Sequence, residues 1–68
     1  MEVRKTTEEG RTVISIIGEV DSTNADEFEQ DLKRNTQGEP SIVLDLAKME
    51  YISSAGLRVL LMIQKMYG

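Results

Sequence analysis

The chain has 68 residues, eight basic against twelve acidic for a net charge of −4, and contains neither cysteine nor histidine. A chain this short holds a single core and buries only about 60% of the surface its unfolded form exposes. The missing residue types exclude a disulfide scaffold, a thiolate nucleophile, a Cys/His zinc site and a Ser-His-Asp triad.

In chain order, EVRKTTEEGRTVISIIG reads as two short strands joined at Glu9-Gly10. Val13, Ile14, Ile16 and Ile17 make the second strand mostly buried, and Gly18 is expected to end it. The segment EVDSTNADEFEQDLKRNTQG then changes period, with Ala25, Phe28 and Leu32 recurring at spacings of three and four. It predicts a helix of about four turns. Ser22, Thr23 and Asn24 offer N-caps, acids crowd the first turns, Lys33 and Arg34 fall in the last turn, and Gly38 stops it. After Pro40, the run SIVLDL has the continuous apolar character of a strand covered on both faces. Strand, helix and strand together make a βαβ unit, whose crossover is almost always right-handed.

AKMEYIS is expected to be a short loop, and SAGLRVLLMIQKMYG a second helix capped by Ser53 or Ser54. The predicted fold class is α/β, a mixed sheet with the order β-β-α-β-α, in one domain over residues 1–68. The basic residues are scattered, so no nucleic-acid partner is expected. The N-terminus lacks the apolar stretch of a secretory signal, and the longest apolar run, Val59 to Ile63, is far short of the roughly 20 residues that cross a bilayer. The expected location is the cytoplasm, with no membrane contact and no cofactor.

Ser53 and Ser54 carry the interest. A side-chain oxygen at a helix start satisfies an orphan backbone N–H and contributes about 1 kcal/mol, so both serines can be plain caps. The segment is neither a nucleophile elbow, since ISSAG is not G-x-S-x-G and no histidine exists to act as base, nor a phosphate loop, since the glycines and the Lys-Ser/Thr pair are absent. The sharper reading starts from Ala55 and Gly56, which are expected to leave the first turn bare so that another molecule can approach the hydroxyls. A strand-to-helix turn at the carboxyl end of a parallel strand is where open α/β sheets place their sites, and a phosphate attached there is stabilised by free N–H groups. Spacing at 100° puts Ser54, Arg58, Leu61, Met62 and Lys65 along one side of the helix, with Leu57, Leu60, Ile63 and Tyr67 nearer the other. Leu61 and Met62 are then either covered by more of the same protein or part of a partner-docking strip.

Two blocks, GEVDSTNADEF over Gly18 to Phe28 and VLDLAKMEYISSAGLRVLL over Val43 to Leu61, closely resemble the STAS domain of bacterial anti-sigma factor antagonists. They stand in that family's order and separation. The resemblance implies a β-hairpin opening a mixed sheet backed by helices, and a serine at the head of a helix that is phosphorylated by a partner kinase, itself the anti-sigma factor. Carried over by position, the family's Asp-Ser-Ser/Thr-Gly motif falls on Ser53, Ser54, Ala55 and Gly56, making Ser54 the implied phosphoacceptor. Ser53 replaces the family's acid and becomes the alternative acceptor. The acid that the family places near this site corresponds to Asp21, next to Glu19.

The resemblance thus implies a binding module that holds the anti-sigma factor while Ser54 is unmodified, frees the sigma factor, and is reset by a phosphatase. The implied partner surface comprises Glu19, Asp21, Ser53, Ala55, Gly56, Arg58, Leu61, Met62 and Lys65. With no catalytic base of its own, the protein is expected to be a kinase substrate and no enzyme. The alternative is a STAS-type scaffold subunit of a transporter or stress-signalling complex, with no phospho-switch. Relative to the full family fold, this sequence is expected to be truncated after the second helix. Apolar surface on that helix and on a sheet edge then favours a fragment of a longer protein, or a homodimer or domain swap that pairs those surfaces.

Overall fold

The computed structural model describes residues 1–67. Strand β1 (Glu2–Glu8) turns at Glu9-Gly10, both at positive φ, and returns as β2 (Arg11–Val20) in antiparallel register, Val3 opposite Ile16 and Thr6 opposite Val13. Helix α1 (Ala25–Thr36) follows, then β3 (Ile42–Asp45), β4 (Met49–Ile52) and helix α2 (Ser54–Tyr67).

β2 is the axis of the four-stranded sheet. It pairs with β1 along its first part, in parallel with β3 through Thr12–Ser15, and in parallel with β4 through Gly18–Val20. The order is therefore β-β-α-β-β-α, one strand more than expected, because the supposed loop AKMEYIS contains β4. Nor does Gly18 end β2. It takes φ 94° at the place where the pairing with β4 shifts register, and the strand runs on to Val20. The extra residue of that irregularity is Glu50 on β4, between the partners of Gly18 and Glu19, and the positive φ of Gly18 opposite it is one that glycine adopts without steric cost.

Alternation along β2 assigns the faces. Ile14, Ile16 and Val20 are buried with Phe28 and Leu32 of α1 and Val59 and Ile63 of α2 in one cluster, so both helices cover the same face of the sheet. On the other face Val43 of β3, opposite Val13, is 41% exposed. The expectation that SIVLDL is covered on both faces is thus corrected: Ile42 and Leu44 point to the helices while Val43 and Asp45 point away. Helix α1 is also shorter than expected, at 12 residues, a little over three turns.

The helix ends are tied together. Thr36 is buried and donates its hydroxyl to the Leu32 carbonyl at 2.7 Å, while its own carbonyl accepts the Tyr67 hydroxyl at 2.8 Å. The last residue of α2 in the described chain is thereby fastened to the last turn of α1, which helps fix the angle at which α2 leaves the site described next.

Candidate functional site

At the carboxyl ends of β2 and β4 the chain turns twice into a helix. The two turns are joined by one backbone hydrogen bond, from the Ser53 amide to the Val20 carbonyl at 2.8 Å. That bond sets the segment Glu19–Asn24 beside the head of α2, and so brings together the two sequence blocks that carry the family resemblance.

The first turn is organised by Asp21. Its Oδ1 accepts the Thr23 hydroxyl at 2.6 Å, the Thr23 amide at 2.8 Å and the Asn24 amide at 3.2 Å. Asn24 reciprocates, accepting the Asp21 amide at 2.9 Å on Oδ1 and donating Nδ2 to the Glu19 carbonyl at 3.0 Å. The hydroxyl and amide of Thr23 hold the Asp21 carboxyl below its ordinary value, because both donors favour the charged form. Asn24 occupies the N-cap position of α1 as anticipated, yet its side chain makes no cap bond; it is spent on this loop instead. Among the expected cap residues, Ser22 has no such role and Thr23 serves Asp21.

The second turn separates the two serines. Ser53 is half-buried and stands just before the helix, with its hydroxyl accepting the Gly56 amide at 3.3 Å and its carbonyl accepting the Leu57 amide at 2.9 Å. It is the N-cap of α2. Ser54 is the first helical residue and is exposed.

Gly56 departs from its expected part. It is buried, and a Cβ added there would lie 2.7 Å from Val20 Cγ1 and 2.8 Å from Ile52 Cγ1. The absent side chain lets α2 seat against the ends of β2 and β4, rather than clearing a path for another molecule, and Gly56 does not belong to an accessible partner surface. Ala55 is half-buried in a shallow groove between the helices, with Ala25, Asp26, Glu29, Arg58, Val59 and Met62.

Beyond the first turn, Arg58, Leu61 and Lys65 are exposed and Met62 is half-buried. Leu57 is corrected from the inner to the outer side: it is 48% exposed, while Val59, which the helical projection had left unassigned, is buried with Ile63. The outward face of α2 thus runs Ser54, Leu57, Leu61, at spacings of three and four, flanked by Arg58 and Lys65. Tyr51 on β4, opposite Glu19 in the pairing of β2 and β4, adds a further exposed apolar side chain near the same end. Sequence reasoning placed Leu57 inward because α2 is apolar on several sides and only the seating of Gly56 shows which way the helix is turned, and it missed Tyr51 because the strand that presents it was read as a loop.

Among the described residues no cluster of acidic side chains has the spacing of a metal site, and no helix is long and apolar enough to cross a membrane.

The STAS domain model matches residues 2–68. The chain is 43% identical over 58 residues to BtrV of Bordetella bronchiseptica, whose name describes it provisionally as an anti-sigma factor antagonist; the match takes in 84% of this chain and 50% of that protein. It is 35% identical over 49 residues to osmosensory protein A of Mycobacterium tuberculosis, covering 72% of this chain and 31% of that one. In three dimensions it superposes on the crystal structure of an anti-sigma factor antagonist from Mycobacterium paratuberculosis with a TM-score of 0.85 and 28% identity, over 98% of this chain and 58% of the other. The chain spans half or less of the length of the curated relatives it matches. With the family model matched along nearly its whole length and the same sheet and helices in space, the chain belongs to the STAS domain family.

Proposed function

We propose that this protein is an anti-sigma factor antagonist whose binding surface is the head and outer face of α2 together with the Glu19–Asn24 loop, switched by phosphorylation of Ser54. The observation that carries the reading is the division of labour between the serines: Ser53 is engaged as the cap and Ser54 is free at the surface. The similarity to proteins named anti-sigma factor antagonists supports the class of partner.

In this mechanism the partner anti-sigma factor is a serine kinase. The Ser54 oxygen bonds to the γ-phosphorus of ATP, the bond from that phosphorus to the β,γ-bridging oxygen breaks, ADP leaves, and the hydroxyl proton passes to a base on the kinase. The product carries about −1.5 to −2 charges. At a helix N-terminus an anion is stabilised, so the modification leaves α2 folded and acts at the interface, by bulk and by repulsion against a partner surface shaped for a neutral hydroxyl, to which Asp21 and Glu19 on the same rim add their negative charge. A phosphatase restores the binding form.

The test is incubation of the folded chain with ATP and an anti-sigma kinase from the same organism, followed by phosphopeptide mass spectrometry and a pull-down with Ser54→Asp. Stoichiometric phosphate on Ser54 and loss of binding by Ser54→Asp are expected. A folded chain that stays unmodified, with Ser54→Asp binding as wild type, shifts the reading to a scaffold subunit without a switch, a role in line with the similarity to a protein named for osmosensing.

We also propose that the groove formed by Ile42, Leu44, Ile63, Gln64 and Tyr67 is covered in use by a second copy of the chain. Its apolar lining lies beside the free edge of β3, a combination that favours pairing. Sedimentation over a range of concentrations is expected to show self-association of the 68-residue chain, and a monomer throughout would overturn this proposal.

A further inference from the structure

We propose that Arg58 receives the phosphate of modified Ser54, so that the switch works by turning a cation of the partner-facing surface inward upon its own helix. The inference rests on the Ser54 phospho-switch and adds the residue through which it acts.

Helix α2 carries two charged side chains, Arg58 and Lys65, and no acid. Arg58 is exposed one turn after Ser54 and takes part in none of the ion pairs among the described residues, which join Arg4 to Glu2, Lys5 to Glu39, Lys33 to Glu29 and Arg34 to Asp31. The carboxylates that share its groove are Asp26 and Glu29 of α1. Glu29 is held by Lys33 at 2.8 Å, and Asp26 sits in the first turn of α1, where the helix dipole already favours its charge. In the unmodified protein Arg58 is therefore an uncommitted cation beside the exposed Leu57 and Leu61.

Phosphorylation changes its neighbourhood. Helical side chains lean toward the N-terminus, so the arginine covers the turn that bears Ser54, and residues four apart stand about 5–6 Å apart at Cβ. A guanidinium presents paired N–H donors that match phosphate oxygens in two-point geometry, which an ammonium does not. The amide of Gly56 is already taken by Ser53 Oγ, leaving the first turn one donor fewer for a phosphate and giving the side-chain donor more weight. Once paired, Arg58 is withdrawn from any partner that uses it, and the surface around Ser54, already flanked by Asp21 and Glu19, loses its free cation and gains a dianion in one step.

The test installs phosphoserine at position 54 during translation, which needs no kinase and separates this inference from the question of whether a kinase modifies Ser54. The second ionisation of the phosphate is followed by 31P NMR, with circular dichroism to verify the helix. In the otherwise wild-type chain that ionisation is expected about half a pH unit lower than with Arg58→Gln, since a paired cation favours the dianion. Arg58→Met, which keeps the apolar stem, reads the same if Arg58→Gln loses helix. Arg58→Lys should restore part of the displacement and Lys65→Gln should leave it whole. Equal ionisation in wild type and both charge-removing variants would overturn the proposal, as would an equal effect of Lys65→Gln, which would reveal a diffuse field instead of a pair. A displaced ionisation in a chain that no anti-sigma kinase modifies would leave the Arg58 pair standing and remove only the switch.

Discussion

Gly56 and Val20 are in contact across the junction of α2 and β2, so closely that a Cβ on Gly56 would lie 2.7 Å from Val20 Cγ1. Val20 is wholly buried and β-branched, and Ile52 closes the other side at 2.8 Å, so neither neighbour has room to yield. An alanine in a helix ordinarily stabilises by about 1 kcal/mol over glycine, but overpacking costs about 1–3 kcal/mol. Gly56→Ala is expected to forgo that gain and to destabilise by up to about 2 kcal/mol, measured by urea unfolding. Stabilisation by this substitution would show that α2 does not seat on β2 as described.

The two serines should separate in the same assay. Ser53→Ala removes the oxygen that accepts the Gly56 amide and is expected to cost about 0.5–1 kcal/mol, toward the lower end of cap values because the bond is long at 3.3 Å. Ser54→Ala, at an exposed first helical position, should leave the urea midpoint within about 0.5 kcal/mol of wild type while abolishing phosphate incorporation. The opposite ranking in stability would reverse the assignment of cap and acceptor.

Asp21 gives the site a pH dependence. Its folded-state value lies below its unfolded one, so between the two the unfolded chain binds more protons and stability rises with pH. The contribution is present above the unfolded carboxylate value and lost as pH falls through the folded value. Asp21→Asn should therefore be less stable than wild type at neutral pH, with the two curves converging in acid. Parallel curves down to the lowest pH that keeps the chain folded would show that the turn does not depend on the charge.

On the outer face of α2, Leu57 and Leu61 are about half exposed and contribute little to the core. Leu57→Asp and Leu61→Asp are each expected to weaken anti-sigma factor binding at least about tenfold, as loss of an apolar anchor does, with little change in the urea midpoint. Titration calorimetry reads the affinity. Unaltered binding by both variants would move the partner surface off this face, toward the Glu19–Asn24 loop.

Much of this protein was legible in its residues because the signals were local. The β1–β2 hairpin follows from Glu9-Gly10, α1 from the spacing of Ala25, Phe28 and Leu32, and α2 from the cap at Ser53 and the apolar run after it. The two family blocks were legible as well, since each is a continuous segment. β4 was missed because Met49, Tyr51 and Ile52 are too few to establish a period, and a four-residue strand exists only where a partner strand supplies its hydrogen bonds. The continuation of β2 beyond Gly18 depends on the same partner.

Orientation belonged to the tertiary structure alone. Apolar spacing says that a helix has a buried side, but α2 is apolar over most of its circumference, and its rotation is set by steric fit. The fit is decided where Gly56 meets Val20 and Ile52 and where Tyr67 reaches Thr36, contacts between residues far apart in the chain. That rotation turns Leu57 outward and leaves Ser54 free. Likewise, the proximity of Asp21 to the serines is decided by the hydrogen bond from Ser53 to Val20, which forms only when the parallel strands align. Sequence determined which elements form and which residue types could carry the site; packing between distant residues decided which of them face outward together.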